Sequence, residues 1–268
     1  MLAEALRHFL LALQFFTRIP VTGVVEEWAG YSPARLRAAA GHFPGVGWIV
    51  AGSACVAYGA ANLLLGTGVL VPLAAAAACT VVTALLTGAF HEDGLADTAD
   101  GLGGSADATR ALEIMKDSRI GSYGALALVL AIACKLTLLA VLGGHGVGVA
   151  MSALLAGHVL SRFLPLLLVR FLPHVGDAAH SKSKPLADRI DGQALAIAAA
   201  WSLPALLLVA GMQGAGFVVF GMLSATGALW WVGRMLRHRL GGFTGDCLGA
   251  AQQVCEIAFY AGAACALR

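Results

Sequence analysis

Residues 121–142, GSYGALALVLAIACKLTLLAVL, form an apolar run with one charged side chain, Lys135. About 20 such residues cross the hydrocarbon core of a bilayer as one helix. Comparable runs occupy 44–65, 69–90, 147–170, 192–211, 214–233 and 247–266. Because the chain of 268 residues is 59% hydrophobic and 12% charged, we predict an all-α polytopic helical membrane bundle. It has about seven transmembrane helices in a single integral-membrane domain, residues 1–268.

The amino-terminal residues 1–20 differ from these runs. They are apolar but shorter, and Arg7, His8, Arg18 and Pro20 interrupt them. This pattern is typical of an amphipathic helix that lies in the membrane interface. We therefore predict an interfacial amino-terminal helix that precedes the spans.

The cationic residues indicate an orientation. Lys and Arg occur in the amino-terminal segment and in the connections 91–120, 171–191 and 234–246, whereas the connections 66–68, 143–146 and 212–213 contain none. Cytoplasmic loops carry an excess of Lys and Arg, so the three charged connections are predicted to face the cytoplasm. The net charge of +2 has the same origin and gives no reason to expect nucleic acid as a partner.

An acidic segment, residues 91–101 with the sequence HEDGLADTADG, stands out in this apolar chain. If it is helical, Asp93, Asp97 and Asp100 share one face, because they are spaced four and three residues apart. Carboxylate oxygens at this spacing suit Mg²⁺ or Mn²⁺. The alternative is a solvated helix end whose aspartates complement the helix dipole. Residues 91–120 are thus a predicted cytoplasmic acidic active-site segment.

A second charged group follows it. Residues 106–118 are predicted to form a short helix, and the run 116–121, KDSRIG, joins it to the next span. Acidic groups that bracket Lys116 and Arg119 can hold a diphosphate, with a metal ion on one side and cations on the other. The alternative is a set of local ion pairs beside an ordinary helix start.

The connection 237–246, RHRLGGFTGD, combines basic side chains with glycines that let backbone amides approach a phosphate. Asp246 is either a further metal ligand or the N-cap of the last helix.

Three charges fall at mid-depth in predicted spans: Lys135, Arg162 and Glu256. An unpaired charge there costs about 2.5 kcal/mol or more. We expect them to pair with one another or with an anionic ligand. His91 adjoins the acidic segment and is a candidate proton acceptor, although a lone histidine is more often part of the hydrogen-bonded scaffold.

Residues 91–101, 112–121 and 241–250 together resemble the cobalamin synthase family. Further likeness is found, in order along nearly the whole chain, in Phe16-Thr17-Arg18-Ile19-Pro20, Phe43-Pro44-Gly45-Val46-Gly47, Ser161-Arg162 and Ile190-Asp191-Gly192. Two places depart from the family pattern. Position 92 is often apolar in the family, so Glu92 is not expected to be an essential ligand, and residues 174–185 match nothing in it.

The resemblance implies a multi-pass enzyme of the bacterial inner (cytoplasmic) membrane, in contact with membrane lipid and active on the cytoplasmic face. Homo-oligomerisation is compatible with the resemblance and not required by it. In the implied reaction, the 3′-hydroxyl of α-ribazole, or of its 5′-phosphate, attacks the cobinamide-side phosphorus of adenosylcobinamide-GDP and GMP leaves.

The resemblance also implies roles for individual residues. Asp93, Asp97 and Asp100 would hold Mg²⁺, Asp117 would be a ligand or support one, and Asp246 would complete the site. Lys116 and Arg119 would contact the diphosphate, and either a carboxylate or His91 would accept the attacking proton. The residues expected to bind substrate are Arg18, Arg162, Thr244 and Glu256.

Three other classes of protein are alternatives. CDP-alcohol phosphotransferases share Asp-Gly followed by further aspartates but need Ala-Arg soon after the glycine, where this chain has Leu95-Ala96-Asp97. Membrane prenyltransferases need two dense aspartate-rich motifs, and this chain has one. A transporter would use Glu256, Arg162 and Lys135 along an ion pathway.

Overall fold

The computed structural model describes residues 2–176 and 190–267. Lys182, Lys184 and Arg189 of the predicted cytoplasmic connection 171–191 lie outside these ranges, as does much of the unmatched stretch 174–185. Within the described part the chain is helical, and its one β-bridge joins His174 to Phe243. The predicted all-α architecture is confirmed.

The helices of the described residues are named in chain order. They are α1 Leu2–Phe16, α2 Val24–Ala29, α3 Pro33–Ala39, α4 Phe43–Leu65, α5 Val71–Thr87, α6 Phe90–Gly104, α7 Ala108–Met115, α8 Ser122–Gly144, α9 Val147–Phe163, α10 Pro165–Phe171, α11 Gly192–Gln213, α12 Ala215–Leu240 and α13 Gly245–Cys265.

The number of candidate spans is smaller than predicted. Five segments of the described chain are long and apolar enough to cross a membrane, and a sixth is added if α5 and α6 form one broken span. These five segments are Pro33–Leu65, Ser122–Gly144, Val147–Phe171, Gly192–Gln213 and Ala215–Leu240. The predicted span 247–266 is absent from this set, because Gln252, Gln253 and Glu256 reduce the apolarity of α13. Those three side chains are buried, so α13 packs mainly against protein.

A sharp bend separates α5 from α6. The axes of the two helices differ by 89°, so the predicted span 69–90 ends early, at Thr87. Gly88 and Ala89 both adopt left-handed backbone angles, with φ of 66° and 55°, and such a residue commonly ends a helix. The guanidinium of Arg18 packs against Gly88 where a side chain would collide with it. The bend therefore turns the acidic segment away from the direction of α5.

The amino-terminal segment forms the predicted helix, α1. Its inner face buries Leu11, Leu13 and Phe16, while Leu2 and Leu6 are exposed. This division is that of an amphipathic helix. Its location in the membrane interface stays a prediction.

Helices α6 and α13 cross in backbone contact. A Cβ atom added to Gly94 would lie 2.7 Å from the carbonyl oxygen of Asp246 and 3.2 Å from the Cα atom of Gly249. Only glycine at position 94 allows this separation, since larger residues would force the two helices apart. The crossing brings the first turn of α13 beside the acidic helix.

We expect Gly94→Ala to separate the two helices and to lower the free energy of unfolding by about 1–3 kcal/mol, the usual cost of overpacking. Gly52→Ala is the matched control, because a Cβ at Gly52, also within a helix, meets nothing within 4 Å. That change should be neutral or stabilising by up to about 1 kcal/mol. Unfolding in mixed detergent micelles measures both; equal effects would contradict the close crossing.

Candidate active site

The acidic segment folds as the predicted helix, α6. Along it Asp93 is exposed, Asp97 is half-buried and Asp100 is buried. Asp93, Asp100 and Asp246 all lie near enough to act electrostatically on Asp97, and Asp93 acts in the same way on Asp246. The fold therefore assembles carboxylates from two helices that are far apart in sequence. In the part of the chain that the structure describes, no three His, Cys, Asp or Glu side chains form a ready metal-binding group.

Asp100 differs from the other aspartates because its carboxylate accepts hydrogen bonds from two backbone amides. Its Oδ2 accepts a hydrogen bond from the Gly121 amide at 2.7 Å, and its Oδ1 accepts one from the Gly124 amide at 2.8 Å. A side chain on either glycine would collide with this carboxylate. Asp100 thus accepts hydrogen bonds from N–H groups at the start of α8 that have no acceptor within the helix. These two bonds compete with its predicted role as a metal ligand.

Asp117 and Arg119 form a local ion pair. The Arg119 Nη2 lies 2.6 Å from Asp117 Oδ2, and Nε lies 3.0 Å from Oδ1. These hydrogen bonds lower the pKa of Asp117 to about 2, so its carboxylate is ionised at neutral pH. Arg110 Nη1 lies 2.8 Å from Glu113 Oε2. These two residues therefore form one of the local ion pairs that the alternative interpretation of this segment predicts.

An open pocket joins these charges to the acidic helix. Its lining includes Asp100, Arg110, Asp117, Arg119 and Tyr123. Lys116 is exposed on the same connection. Groups of both signs therefore border one cavity.

The predicted connection 237–246 begins within helix, because α12 continues to Leu240, and the last turn of α12 has a structural role that sequence reasoning missed. Arg239 donates to the carbonyl oxygens of Leu102 and Ser105, at 2.8 and 2.6 Å. It thereby satisfies carbonyl groups at the end of α6. No local pattern indicates these contacts, because 137 residues separate Arg239 from Leu102.

Thr244, predicted to bind substrate, is the N-cap of α13 and accepts from the amide of Cys247. The alternative that Asp246 is this cap is therefore wrong. Asp246 lies in the first turn of α13, where the helix dipole favours a negative charge. Its carboxylate stays available for the predicted metal site.

A buried polar network surrounds Glu256. The carboxylate contacts Lys135 at 2.6 Å, His158 at 3.2 Å, Gln252 at 2.7 Å and Tyr260 at 3.0 Å. The predicted pairing of Lys135 with Glu256 is confirmed. Sequence reasoning missed Gln252 and Tyr260, although each is four residues from Glu256 and shares its helix face.

Arg162 is 2% exposed and donates to the carbonyl oxygen of His158 at 2.9 Å. Its guanidinium also lies over the Phe43 ring, 5.7 Å from the ring centre. Arg162 lies near enough to Glu256 and Glu92 to interact with both electrostatically. The predicted contact of Arg162 and Glu256 with substrate stays a prediction.

His91 and Arg18 lie apart from the acidic face. The His91 ring is 2% exposed and stacks on Phe43 with a centroid separation of 5.7 Å. His91 is two positions before Asp93, so the two side chains leave α6 in nearly opposite directions. Arg18 is exposed beside the bend at Gly88. Glu92 accepts a hydrogen bond from Gln253 at 3.1 Å.

We expect Asp100 to contribute to stability and Asp93 not to. Asp100→Ala leaves two backbone amides without their acceptor and should cost about 1–3 kcal/mol. Asp93→Ala removes an exposed carboxylate of equal charge and should change stability by less than about 0.5 kcal/mol. Thermal unfolding in detergent with a chelator present measures this difference. Equal melting temperatures for the two variants would be inconsistent with a capping role.

The pair Lys135 and Glu256 should show strong coupling. Lys135→Met alone leaves a buried carboxylate without its cation and should cost about 3–5 kcal/mol. Adding Glu256→Gln should restore much of that loss, because no uncompensated charge remains. A double-mutant cycle from denaturant unfolding tests this; additive losses would show that the two residues act independently.

Comparison with known proteins identifies the family of the chain. A family model described as cobalamin-5-phosphate synthase matches residues 8–264. A relative from Polaromonas naphthalenivorans, named adenosylcobinamide-GDP ribazoletransferase, is 54% identical over 98% of this chain and 99% of its own length. Relatives with the same name from Leptothrix cholodnii and Vibrio cholerae are 45% and 41% identical, over 96% and 95% of this chain and 94% and 92% of theirs. No solved structure matches the chain. The chain therefore belongs to the cobalamin-5-phosphate synthase family.

Proposed function

We propose that this chain is an adenosylcobinamide-GDP ribazoletransferase that completes the nucleotide loop of a cobalamin. The observation that carries this proposal is the acidic cluster of Asp93, Asp97 and Asp246 on two crossing helices, with the cations Lys116 and Arg119 on the neighbouring connection. Family membership sets aside the phosphotransferase, prenyltransferase and transporter alternatives.

The proposed reaction is a phosphoryl-type transfer. A hydroxyl oxygen of α-ribazole, or of its 5′-phosphate, forms a bond to the cobinamide-side phosphorus of adenosylcobinamide-GDP. The bond from that phosphorus to the bridging oxygen breaks, and GMP leaves with the bridging oxygen. The hydroxyl proton passes to a base and then to water. Catalysis of this kind depends on in-line positioning and on stabilising charge on the phosphate oxygens.

Mg²⁺ is the proposed cofactor. Carboxylates that repel one another yet stay close are a donor set suited to a hard divalent cation. Asp93, Asp97 and Asp246 would hold the ion. Asp100 would fix the position of α6 through its hydrogen bonds to α8, and Asp117 would support the site from the edge of the pocket. When bound, the ion would neutralise the diphosphate. Because Mg²⁺ usually keeps waters and substrate phosphates as ligands, these would complete its coordination at the proposed site.

The remaining groups bind and orient substrate. Arg119 and Lys116 would contact the diphosphate, and Asp117 holds Arg119 in place before substrate arrives. We favour a carboxylate of α6 over His91 as the proton acceptor, because the His91 ring is buried on another face of the helix. By the positive-inside rule, this site would open to the cytoplasm from a bacterial inner membrane.

We expect Asp93→Ala and Asp97→Ala each to reduce GMP release at least a hundredfold, since each removes a charge from the proposed metal site. The assay combines purified protein in lipid with adenosylcobinamide-GDP, α-ribazole and Mg²⁺. Glu27→Ala is the matched control, because Glu27 is an exposed carboxylate on α2, remote in sequence from the acidic segment.

Two outcomes would contradict different parts of the proposal. Normal GMP release by both aspartate variants would exclude the assigned metal site while leaving the activity in place. No release by the wild type, with folding verified, would exclude the activity itself.

A further inference from the structure

A membrane-facing groove separates α10 from α12. The two helices approach closely at Gly233, where an added Cβ would lie 3.0 Å from Leu168 Cδ2. The apolar lining of the groove includes Leu167, Phe171, Leu229 and Trp230. Phe171 and Trp230 are 70% and 68% exposed. Both helices belong to candidate spans, so this surface faces lipid.

One end of the groove is strongly basic. Arg234 and Arg237 line it, lie three residues apart on α12 and are exposed. Arg237 donates one long hydrogen bond, 3.4 Å, to the Phe171 carbonyl oxygen. No described residue forms an ion pair or hydrogen bond with the Arg234 side chain, and the lining contains no carboxylate. Among the residues that the structure describes, the groove thus presents two cations without an anion to balance them.

This basic end lies at the level of a lipid headgroup. Arg234 and Arg237 are in the last two turns of α12, a candidate span that ends at Leu240. Trp230 is one turn further in, and tryptophan is enriched where the membrane meets water. The nearby Arg239 points the other way, to the end of α6. The groove is therefore separate from the acidic cluster.

We propose that this groove binds one anionic phospholipid of the cytoplasmic leaflet. Its acyl chains lie along Leu167, Phe171 and Trp230, and its phosphate lies between Arg234 and Arg237. Basic pockets between transmembrane helices bind anionic headgroups in this way. The apolar lining argues against a free nucleotide, which has no chain to place there, and the two cations favour an anionic headgroup over a zwitterionic one.

Native mass spectrometry of the full chain in detergent tests the proposal. The probes are phosphatidylglycerol and phosphatidylcholine with identical acyl chains. One phosphatidylglycerol molecule should remain bound to the wild type, with an affinity about 25-fold above that of phosphatidylcholine. That ratio assigns about fivefold to each arginine, the factor that corresponds to roughly 1 kcal/mol. Equal retention of the two lipids would overturn the proposal without any variant being needed.

The arginines are tested with R234Q/R237Q. The double variant should lose the preference for phosphatidylglycerol and keep its affinity for phosphatidylcholine, and each single variant should lose about fivefold. Arg37→Gln is the matched control, because it removes an exposed cation from α3 outside the groove. Folding is verified by size exclusion, and the single variants carry the test if the double variant misfolds.

Two further results would contradict the site. An equal loss of preference in R37Q would show that net charge governs lipid binding, and displacement of the lipid by GDP would make the groove part of a nucleotide site.

Discussion

The close crossing of α6 and α13 is the contact on which the candidate site depends. At Gly94 and Gly249 the two backbones approach without intervening side chains, and the Asp246 carbonyl oxygen lies against Gly94. Because of this contact, a carboxylate from the end of the chain lies among the aspartates of the acidic helix. The bend after α5 and the Arg239 contacts to the end of α6 fix the same helix at its two ends.

The network around Glu256 connects the helices behind this site. Lys135 comes from α8, His158 from α9 and Glu256 from α13, so a single carboxylate joins three helices. A charge in the membrane interior is costly unless it is paired and hydrogen-bonded. Here both oxygens of the carboxylate have two partners each. The polar side chains of α13 thus explain both why this helix is less apolar than the others and why it lies inside the bundle.

The aspartates of α6 have different surroundings and therefore different expected roles. Asp100 is buried and bound by two backbone amides, whereas Asp93 is exposed and Asp97 half-buried. In the sequence the three are equivalent, since each lies on the same face of one helix. Only the position of Gly121 and Gly124 at the start of α8 distinguishes them.

The sequence by itself determined the helical class, most of the apolar helices, the acidic helix and the need of the buried charges for partners, with Glu256 as one candidate partner of Lys135. These follow from local periodicity and from the cost of placing charge in lipid, both of which act within short segments or on single residues. The tertiary structure alone decided the bend after α5, the cap that Thr244 provides in place of Asp246, the contacts of Arg239 and the separation of His91 from the aspartates. The cap is a local contact between Thr244 and Cys247, but the choice between Thr244 and Asp246 depends on the residue at which α13 begins. The other three depend on backbone direction or on partners distant in the chain, and neither composition nor spacing contains that information.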